Sequence, residues 1–233
     1  MNLKYESLEK LQVRRPVDRL DYIAGICDGK TVLDIGCFDE TALVKRETRH
    51  WLHGRLSETA KQIVGVDNST KIPVEGLRTG ANSTIFRGDG VHLDESLIGR
   101  AEYDLIVAGE FIEHIESPLE FLREMKSKFA GRTLIISTPN GVSFANTLLG
   151  SIGREVQHHD HLHNFSFKIL NTLCLRSDFN SWGIIPYSFY ATEMILNSNG
   201  AKRVLVKTVE YAIKLVERLF PLLSFGYIVH IEL

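Results

Sequence analysis

The stretch TVLDIGC, residues 31–37, decides the fold that we expect for this chain. Its first five residues are β-branched or apolar except for Asp34, a composition that predicts a short buried strand. Gly36 follows directly, where the chain turns out of the strand, and glycine lets the backbone approach a ligand closely. The stretch therefore predicts the first strand and the first turn of an α/β unit.

Strands of the same kind recur and alternate with helical segments. The further predicted strands are QIVGVD (62–67), STIFRGD (83–89), YDLIVAGE (103–110) and TLIIST (133–138). The helices predicted between them cover about 40–61, 69–80 and 117–129. This alternation predicts a mostly parallel sheet with crossover helices. The remaining predicted elements are a helix over 166–177, a strand-like segment GIIPYSFYA (183–191), a helix over about 201–219 and a last strand GYIVHIEL (226–233).

The composition narrows the class of protein. The chain has 233 residues, 44% of them apolar, which is enough for one domain with a sizeable core. Its net charge of −2 excludes a nucleic-acid-binding surface that depends on an excess of basic residues over the whole chain, but it does not exclude a local basic patch. The polar first residues and the lack of a long apolar run predict neither a secretion signal nor a membrane span. Three cysteines without a CxxC spacing suit a reducing compartment, so we expect one cytoplasmic domain over 1–233.

Acidic residues and a glycine stand at the ends of four successive predicted strands: Asp34 with Gly36, then Asp67, Asp89 and Glu110. In an open parallel sheet, ligands bind at the carboxyl ends of the strands. An acid after the second strand can hold both hydroxyls of a ribose, and an acid after the third can accept a hydrogen bond from an exocyclic amine. A single acidic residue at a strand end is more often a helix cap. The hypothesis of a nucleoside-binding site therefore rests on the four strand ends taken together.

The series VLDIGC, IVGVD, FRGDG, YDLIVAGEFIEHIESPLEFL and LIISTPN resembles class I S-adenosylmethionine-dependent methyltransferases over about residues 10–180. Within them it is most similar to the branch of the ubiquinone-biosynthesis O-methyltransferases. The runs HWLHGRLSETAKQIVGVD and HDHLHNFS also resemble prokaryotic members associated with surface polysaccharides. The resemblance implies a Rossmann-like, seven-stranded, mostly parallel sheet with an antiparallel last strand, and S-adenosyl-L-methionine as the cofactor.

The residues that this resemblance places around the cofactor lie in four loops: Asp34, Gly36 and Cys37 in the first, Asp67 and Asn68 in the second, Asp89 and Gly90 in the third, and Glu110 in the fourth. It implies ribose hydroxyls at Asp67, the adenine amine at Asp89 and the methionine end at Glu110. The family usually has a second glycine where this chain has Phe38. That departure leaves the path of the first loop open, and it motivates the alternative of a non-catalytic cofactor-binding or scaffold protein.

Two stretches offer groups that could act on an acceptor, EFIEH (110–114) and HHDHLH (158–163). If 110–114 forms a helical turn, Glu110 shares a face with Glu113 and His114. Such a set could bind Mg²⁺, Mn²⁺ or Zn²⁺. If 158–163 is extended, alternate histidines lie on one side, and we expect His161 to face the acceptor.

The small-RNA 3′-terminal 2′-O-methyltransferases resemble both stretches. That resemblance implies a metal that activates a ribose hydroxyl, held by Glu110, Glu113, His114 and His161. The alternative is a catalytic site without metal, in which His114 acts as a base, with Glu110 and His161 near the transferred methyl group. A third interpretation is purely structural: His114 caps a helix, and 158–163 is a solvated loop.

We expect residues 1–28 to form a helical lid over the cofactor and residues 141–195 to select the acceptor. The leading hypothesis is O-methylation of a small-molecule or glycan hydroxyl. RNA ranks second, because basic residues are sparse among the aromatic residues of 141–190. The amphipathic segment 202–225 is expected to cover the sheet, and its alternatives are a peripheral membrane contact and a homodimer contact.

Overall fold

The computed structural model describes residues 9–38, 42–45, 48–99, 102–155 and 157–233. Within these ranges, eight strands form one sheet. The strands are β1 (Thr31–Ile35), β2 (Gln62–Asp67), β3 (Leu77–Arg78), β4 (Ser83–Arg87), β5 (Leu105–Gly109), β6 (Thr133–Pro139), β7 (Ser181–Tyr187) and β8 (Gly226–Glu232).

The helices alternate with these strands. They are α1 (Arg19–Cys27), α2 (Ala42–Lys45), α3 (Leu52–Ser57), α4 (Glu95–Ile98), α5 (Pro118–Lys128), α6 (Phe144–Gly150), α7 (Phe167–Arg176), α8 (Thr192–Leu196) and α9 (Gly200–Leu219), with a 3₁₀ turn at Pro221–Leu223. None of the helices in the described ranges combines the length and the apolar character needed to cross a membrane.

The sheet has the order β3-β4-β2-β1-β5-β6-β8-β7. The five central strands, from β4 to β6, are parallel, so their carboxyl ends meet at one edge. β8 runs antiparallel between β6 and β7. The expected Rossmann-like, mostly parallel sheet with an antiparallel last strand is therefore confirmed. The two-residue strand β3, antiparallel to β4, adds an eighth strand at the edge.

Both faces of the sheet are covered, which explains why its central strands are almost continuously apolar. On one face, Phe121 of α5 and Leu170 of α7 pack against the sheet. On the other face, Ile23 of α1 and Leu56 of α3 do the same. With both faces covered, a ligand can reach the sheet mainly at the ends of its strands.

The helical prediction for the N-terminal segment is only partly right. Helix α1 begins at Arg19, because the side chain of Asp18 caps it by accepting a backbone N–H of the first turn. No helix is present in 9–16, so within the described residues only the second part of the expected helical segment forms. Residues 1–8 of the expected lid lie outside the described residues, and the lid role of 1–28 stays a prediction.

The long helix predicted at about 40–61 is wrong for the described part of that range, where α2 and α3 stand apart. Trp51 interrupts them: its backbone is extended, its ring is buried, and its indole N–H donates to the carbonyl of Cys37 at 2.9 Å. The helix predicted near 69–80 does not form either. Pro73 and Gly76 make a turn there, with Gly76 at φ +92°, and the turn leads into β3.

Candidate functional site

The turn after β1 carries the glycine that the sequence singled out. Gly36 has φ +68°, a conformation that favours glycine, and its N–H donates to the carbonyl of Val66 at 2.9 Å. A Cβ atom at this position would lie 2.5 Å from Cδ2 of Phe111. Both the backbone conformation and the space therefore require glycine here.

Phe38 occupies the position of the expected second glycine without opening the loop. Its ring is buried and meets the ring of Trp51 edge to face, with 6.3 Å between centroids. Its backbone N–H donates to Oδ2 of Asp67 at 2.9 Å, and the N–H of Ser69 donates to Oδ1 of the same carboxylate at 2.9 Å. The loop path is thus held by a buried ring and a carboxylate.

The side chains of Asp34 and Cys37 are turned into the core. Oδ2 of Asp34 lies 2.8 Å from Nδ1 of His53, and Nε2 of His53 lies 2.7 Å from Oγ of Ser83. All three of these side chains are buried. Burial, followed by the nearby Asp34 carboxylate, raises the pKa of the Cys37 thiol well above its usual range. Asp34 and Cys37 therefore support the loop from behind, and their predicted part in cofactor binding would act through its backbone.

The predicted cofactor residues of the second and third loops lie at the same edge of the sheet, and two of them are accessible. Asn68 and Asp89 are exposed, and Oδ1 of Asp89 accepts the N–H of Val91 at 2.7 Å. Gly90 is buried, and a Cβ atom there would lie 2.9 Å from Cζ of Phe111. Because the Phe111 ring lies against both Gly36 and Gly90, it joins the first and third predicted loops.

Glu110 has a separate set of partners. It leaves β5 with φ +54°, so the helical turn expected over 110–114 does not form. Its Oε1 atom accepts from the hydroxyl of Tyr187 at 2.8 Å and from the hydroxyl of Ser137 at 3.3 Å. Nη1 of Arg19 lies 3.4 Å from the same oxygen. Residues of three elements, α1, β6 and β7, thus contact one carboxylate at the end of β5.

Arg19 and Tyr187 were not predicted as site residues. The Arg19 guanidinium lies 5.8 Å from the ring centroid of Tyr187 and 5.6 Å from that of Tyr190. Burial, followed by the charge of Glu110, raises the pKa of Tyr187 well above its usual range, so its hydroxyl stays protonated and can donate. The contacts join residues far apart in the chain, and no local pattern signals them.

Glu113 is a buried carboxyl group without a hydrogen-bond partner on either oxygen. The Thr138 hydroxyl lies close to it, but the two groups make no hydrogen bond of normal geometry. Burial, followed by the neighbouring Glu110, raises the pKa of Glu113 well above its usual range. Its backbone carbonyl accepts the N–H groups of Leu162 at 2.8 Å and His163 at 3.2 Å. These bonds fasten the histidine-rich loop to the EFIEH turn.

Three histidines converge beside this turn. The ring centroids of His114 and His161 are 4.6 Å apart, and His158 lies 6.0 Å from His114 and 5.7 Å from His161. Each ring offers one nitrogen, and these atoms lie within 4.8 Å of one another. Burial, followed by the neighbouring imidazoles, lowers the pKa of His114 and of His161, so both are neutral at pH 7.

The loop 158–163 is not extended, and the predicted alternation of its histidines is wrong. The N–H of His161 donates to the carbonyl of His158 at 3.1 Å, which closes a turn and places both rings beside His114. His163 instead lies 3.3 Å from the carbonyl of Glu116 through Nε2, and His159 is exposed. His158 thus belongs to the cluster, although the sequence predicted that the histidines alternating with His161 would lie on its side.

The structure brings together part of the predicted metal set. His114 and His161 share the cluster, and Glu113 is bonded to the same loop through its backbone. Glu110 is held by Arg19, Ser137 and Tyr187. Imidazole nitrogens are donors that divalent metals such as Zn²⁺ and Mn²⁺ accept, so the three clustered rings fit a metal, whereas the Glu113 carboxyl would have to lose its proton to bind one.

Comparisons with known proteins identify the family of this chain. A family model described as a methyltransferase domain matches residues 7–182. Among curated proteins, none matches this chain.

Solved structures share the fold at low sequence identity. The small RNA methyltransferase HEN1 is similar with a TM-score of 0.58 and 21% identity over 92% of this chain, which spans 24% of the HEN1 chain. The methyltransferase domain of a bacterial Hen1 has a TM-score of 0.55 and 17% identity, with 93% of this chain and 98% of that one covered. A SAM-dependent methyltransferase from Archaeoglobus fulgidus has a TM-score of 0.51 and 18% identity, with 91% and 90% covered.

Proposed function

This chain belongs to the methyltransferase family and is an S-adenosylmethionine-dependent methyltransferase, and from that premise we propose that it methylates a hydroxyl oxygen of a small-molecule or glycan acceptor. The observation that carries the proposal is the cluster of His114, His158 and His161, in a loop bonded to the backbone of the buried Glu113. A hydroxyl is a poor nucleophile at neutral pH and needs a base or a metal, and this cluster offers both a base and ligands for a metal. The resemblance to methyltransferases associated with surface polysaccharides favours a sugar hydroxyl.

The proposed cofactor site uses the strand-end loops of β1, β2, β4 and β5. Gly36 and Gly90 let the backbone approach the cofactor, Asp67 accepts from the ribose hydroxyls, and Asp89 accepts from the adenine amine. Glu110 faces the methionine end. The clamp of Arg19 and Tyr187 supports this role, because it holds the carboxylate in one orientation.

The proposed reaction is an in-line displacement at the methyl carbon. The acceptor oxygen forms a bond with the methyl carbon, the carbon–sulfur bond breaks, and the sulfonium becomes a neutral thioether. The proton of the hydroxyl passes to a ring nitrogen of His114 or His161. The lowered pKa of both rings supports this assignment, because it keeps them unprotonated at neutral pH.

A divalent metal is part of the proposal because the same residues fit it. His114, His158 and His161 would hold it, and Glu113, the preceding residue in the chain, is proposed as a further ligand once it has lost its proton. A bound metal would lower the pKa of the acceptor hydroxyl. Glu110 could bind the metal only if its carboxylate broke its contacts with Arg19 and Tyr187. Those contacts favour a role in positioning the cofactor instead.

The test begins with calorimetry of S-adenosylmethionine and continues with a panel of hydroxylated acceptors and radiolabelled cofactor. We expect His161→Ala to lower kcat by roughly 10²-fold or more. His163→Ala is the matched control, because its ring belongs to the same loop but lies outside the cluster. Equal losses in the two variants would remove the cluster from the mechanism. No binding at millimolar cofactor would support the scaffold alternative.

The metal is tested separately by metal analysis of wild type and variants after chelation and reloading with Zn²⁺ or Mn²⁺. We expect Glu113→Gln and His114→Ala to lose bound metal, while His163→Ala retains it. If Glu113→Gln leaves both activity and metal content unchanged, Glu113 is not a ligand. If the wild-type protein retains no metal after reloading, the metal proposal is wrong and His114 remains the proposed base.

A second acceptor class, the terminal ribose of a small RNA, is favoured by the EFIEH and HDH patterns. The matched HEN1 structure is named as a small RNA methyltransferase and shares the fold. Basic residues near the loop are few, and Lys168 is paired with Glu9 at 2.8 Å, which supports the small acceptor. Methylation that protects the 3′ end of a small RNA from periodate oxidation would establish the RNA class instead.

A further inference from the structure

Helix α9 touches the rest of the domain along a narrow strip. Of its 20 residues, Val206, Ile213 and Glu217 are buried. These three lie on one side of the helix, because they are separated by seven and four positions. The other sides of the helix face outward, which is unusual for a helix with so many apolar residues.

The side of α9 opposite the buried strip is apolar. At 100° per residue, six exposed side chains fall on one broad arc. Their exposed fractions lie between 45% and 74%, and they are Val204, Leu205, Val209, Tyr211, Leu215 and Leu219. Phe220, just after the helix, is exposed as well. Such a continuous exposed apolar surface marks a contact with a partner or a membrane.

Basic residues flank this apolar arc. Arg203, Lys207, Lys214 and Arg218 share the edge between the buried strip and the arc, and Lys202 lies near the other edge. The helix holds five basic and two acidic residues, hence a net charge of +3, in a chain whose net charge is −2. The two acidic side chains of α9 would not repel an anionic partner, because Glu217 is buried and Glu210 forms an ion pair with Lys214 at 2.6 Å.

A pocket of about 320 Å³ lies where α9 meets the segment before α1. Arg15, Lys214 and Arg218 contribute its cationic groups, and Tyr211 and Leu215 contribute apolar walls. Among the described residues, the guanidinium groups of Arg15 and Arg218 form no ion pair. A pocket lined by both cationic groups and apolar side chains suits a phosphate attached to hydrocarbon.

We propose that α9 lies flat on an anionic lipid bilayer, with the apolar arc in the acyl boundary and the basic edge among the phosphates. An apolar face flanked by basic residues is the arrangement expected of an amphipathic helix that lies in a membrane interface. A second copy of the chain fits less well, because an antiparallel two-fold contact through the arc would bring the two basic edges together. RNA would use the basic edge but would leave the apolar arc in water.

The test is flotation of the full chain with vesicles of phosphatidylcholine alone or of phosphatidylcholine mixed with phosphatidylglycerol. We expect binding to the mixed vesicles, weakened by salt. Each basic side chain near an anionic surface strengthens binding by roughly fivefold, so Lys207→Glu should weaken it by roughly 5- to 25-fold. Leu205→Glu should weaken it by about tenfold or more.

Matched controls distinguish this surface from a general effect of charge. Val74→Glu places the same charge at a fully exposed apolar residue just before β3, at the other edge of the sheet, and Lys61→Glu reverses an exposed lysine away from α9. Both should bind vesicles like wild type, and circular dichroism should show all variants folded.

Four outcomes would overturn the proposal. They are no binding to anionic vesicles, equal binding to neutral vesicles, equal effects of Leu205→Glu and Val74→Glu, or light scattering that shows a dimer dissociated by Leu205→Glu. Methyl transfer to a water-soluble acceptor is measured independently, so failure of vesicle binding leaves the proposed function standing.

Discussion

Replacing Gly36 by alanine tests the conformation of the first cofactor loop. At φ +68°, an L-residue costs about 1–2 kcal/mol. The new methyl group would also stand 2.5 Å from a ring carbon of Phe111, which must move, and overpacking of this kind costs about 1–3 kcal/mol. We therefore expect Gly36→Ala to lower the free energy of unfolding by about 2–5 kcal/mol.

Gly29→Ala is a matched control for the backbone term. Gly29 has φ +67°, and a Cβ atom there would meet nothing within 4 Å. This variant should lose only the backbone term of about 1–2 kcal/mol. The difference between the two variants, about 1–3 kcal/mol, then reports the contact with Phe111 alone.

Urea denaturation measures both losses, and calorimetry measures the affinity for S-adenosylmethionine. Because Phe111 also lies against Gly90, a displaced ring disturbs two loops, and we expect cofactor affinity to fall in Gly36→Ala and to stay unchanged in Gly29→Ala. Adding Phe111→Leu should restore part of the stability of Gly36→Ala. Equal losses in the two glycine variants would show that Phe111 does not pack against Gly36.

Burial raises the pKa of Glu217 to about 7 from a usual 4.5, so the folded state binds the proton of this carboxyl more tightly than the unfolded chain does. The free energy of unfolding should therefore fall by about 3 kcal/mol as the pH rises from about 4.5 through 7. Urea unfolding at several pH values should show that this fall disappears in Glu217→Gln, and an unchanged slope would contradict the assignment. His53→Ala leaves the buried Asp34 carboxylate without its partner and should cost about 3–5 kcal/mol, whereas His92→Ala, at an exposed position, should cost less than about 0.5 kcal/mol. A small loss in His53→Ala would mean that the Asp34 contact is not needed for stability.

Local patterns accounted for the elements that depend on short-range information. The strand TVLDI has the predicted bounds, Thr31–Ile35, because a parallel strand buried on both faces is mostly apolar, here with Asp34 as the exception. The strand QIVGVD has its predicted bounds for the same reason. The helix over about 201–219 was predicted closely, since its apolar residues repeat at helical spacing.

Errors arose where a distant contact overrides the local preference. The segment 40–61 carries helical periodicity, but the buried Trp51 bonds to Cys37 and interrupts the helix. Glu110 was placed on a helical turn with Glu113 and His114, whereas its carboxylate is bound by residues of α1, β6 and β7. Neither contact has a signature within a window of the sequence.

The sequence by itself determined the α/β framework, the ordered acids at the strand ends and the two stretches that offer histidines and carboxylates. These features follow from periodicity and from residue chemistry, which are local. Only the tertiary structure decided which of those side chains meet: it turned Asp34 and Cys37 inward, tied Glu110 to Arg19, and replaced an extended HHDHLH by a turn that unites His158 and His161 with His114. Side-chain direction at a site depends on contacts between segments far apart in the chain, because burial and hydrogen bonding of each polar group are satisfied only in the assembled fold.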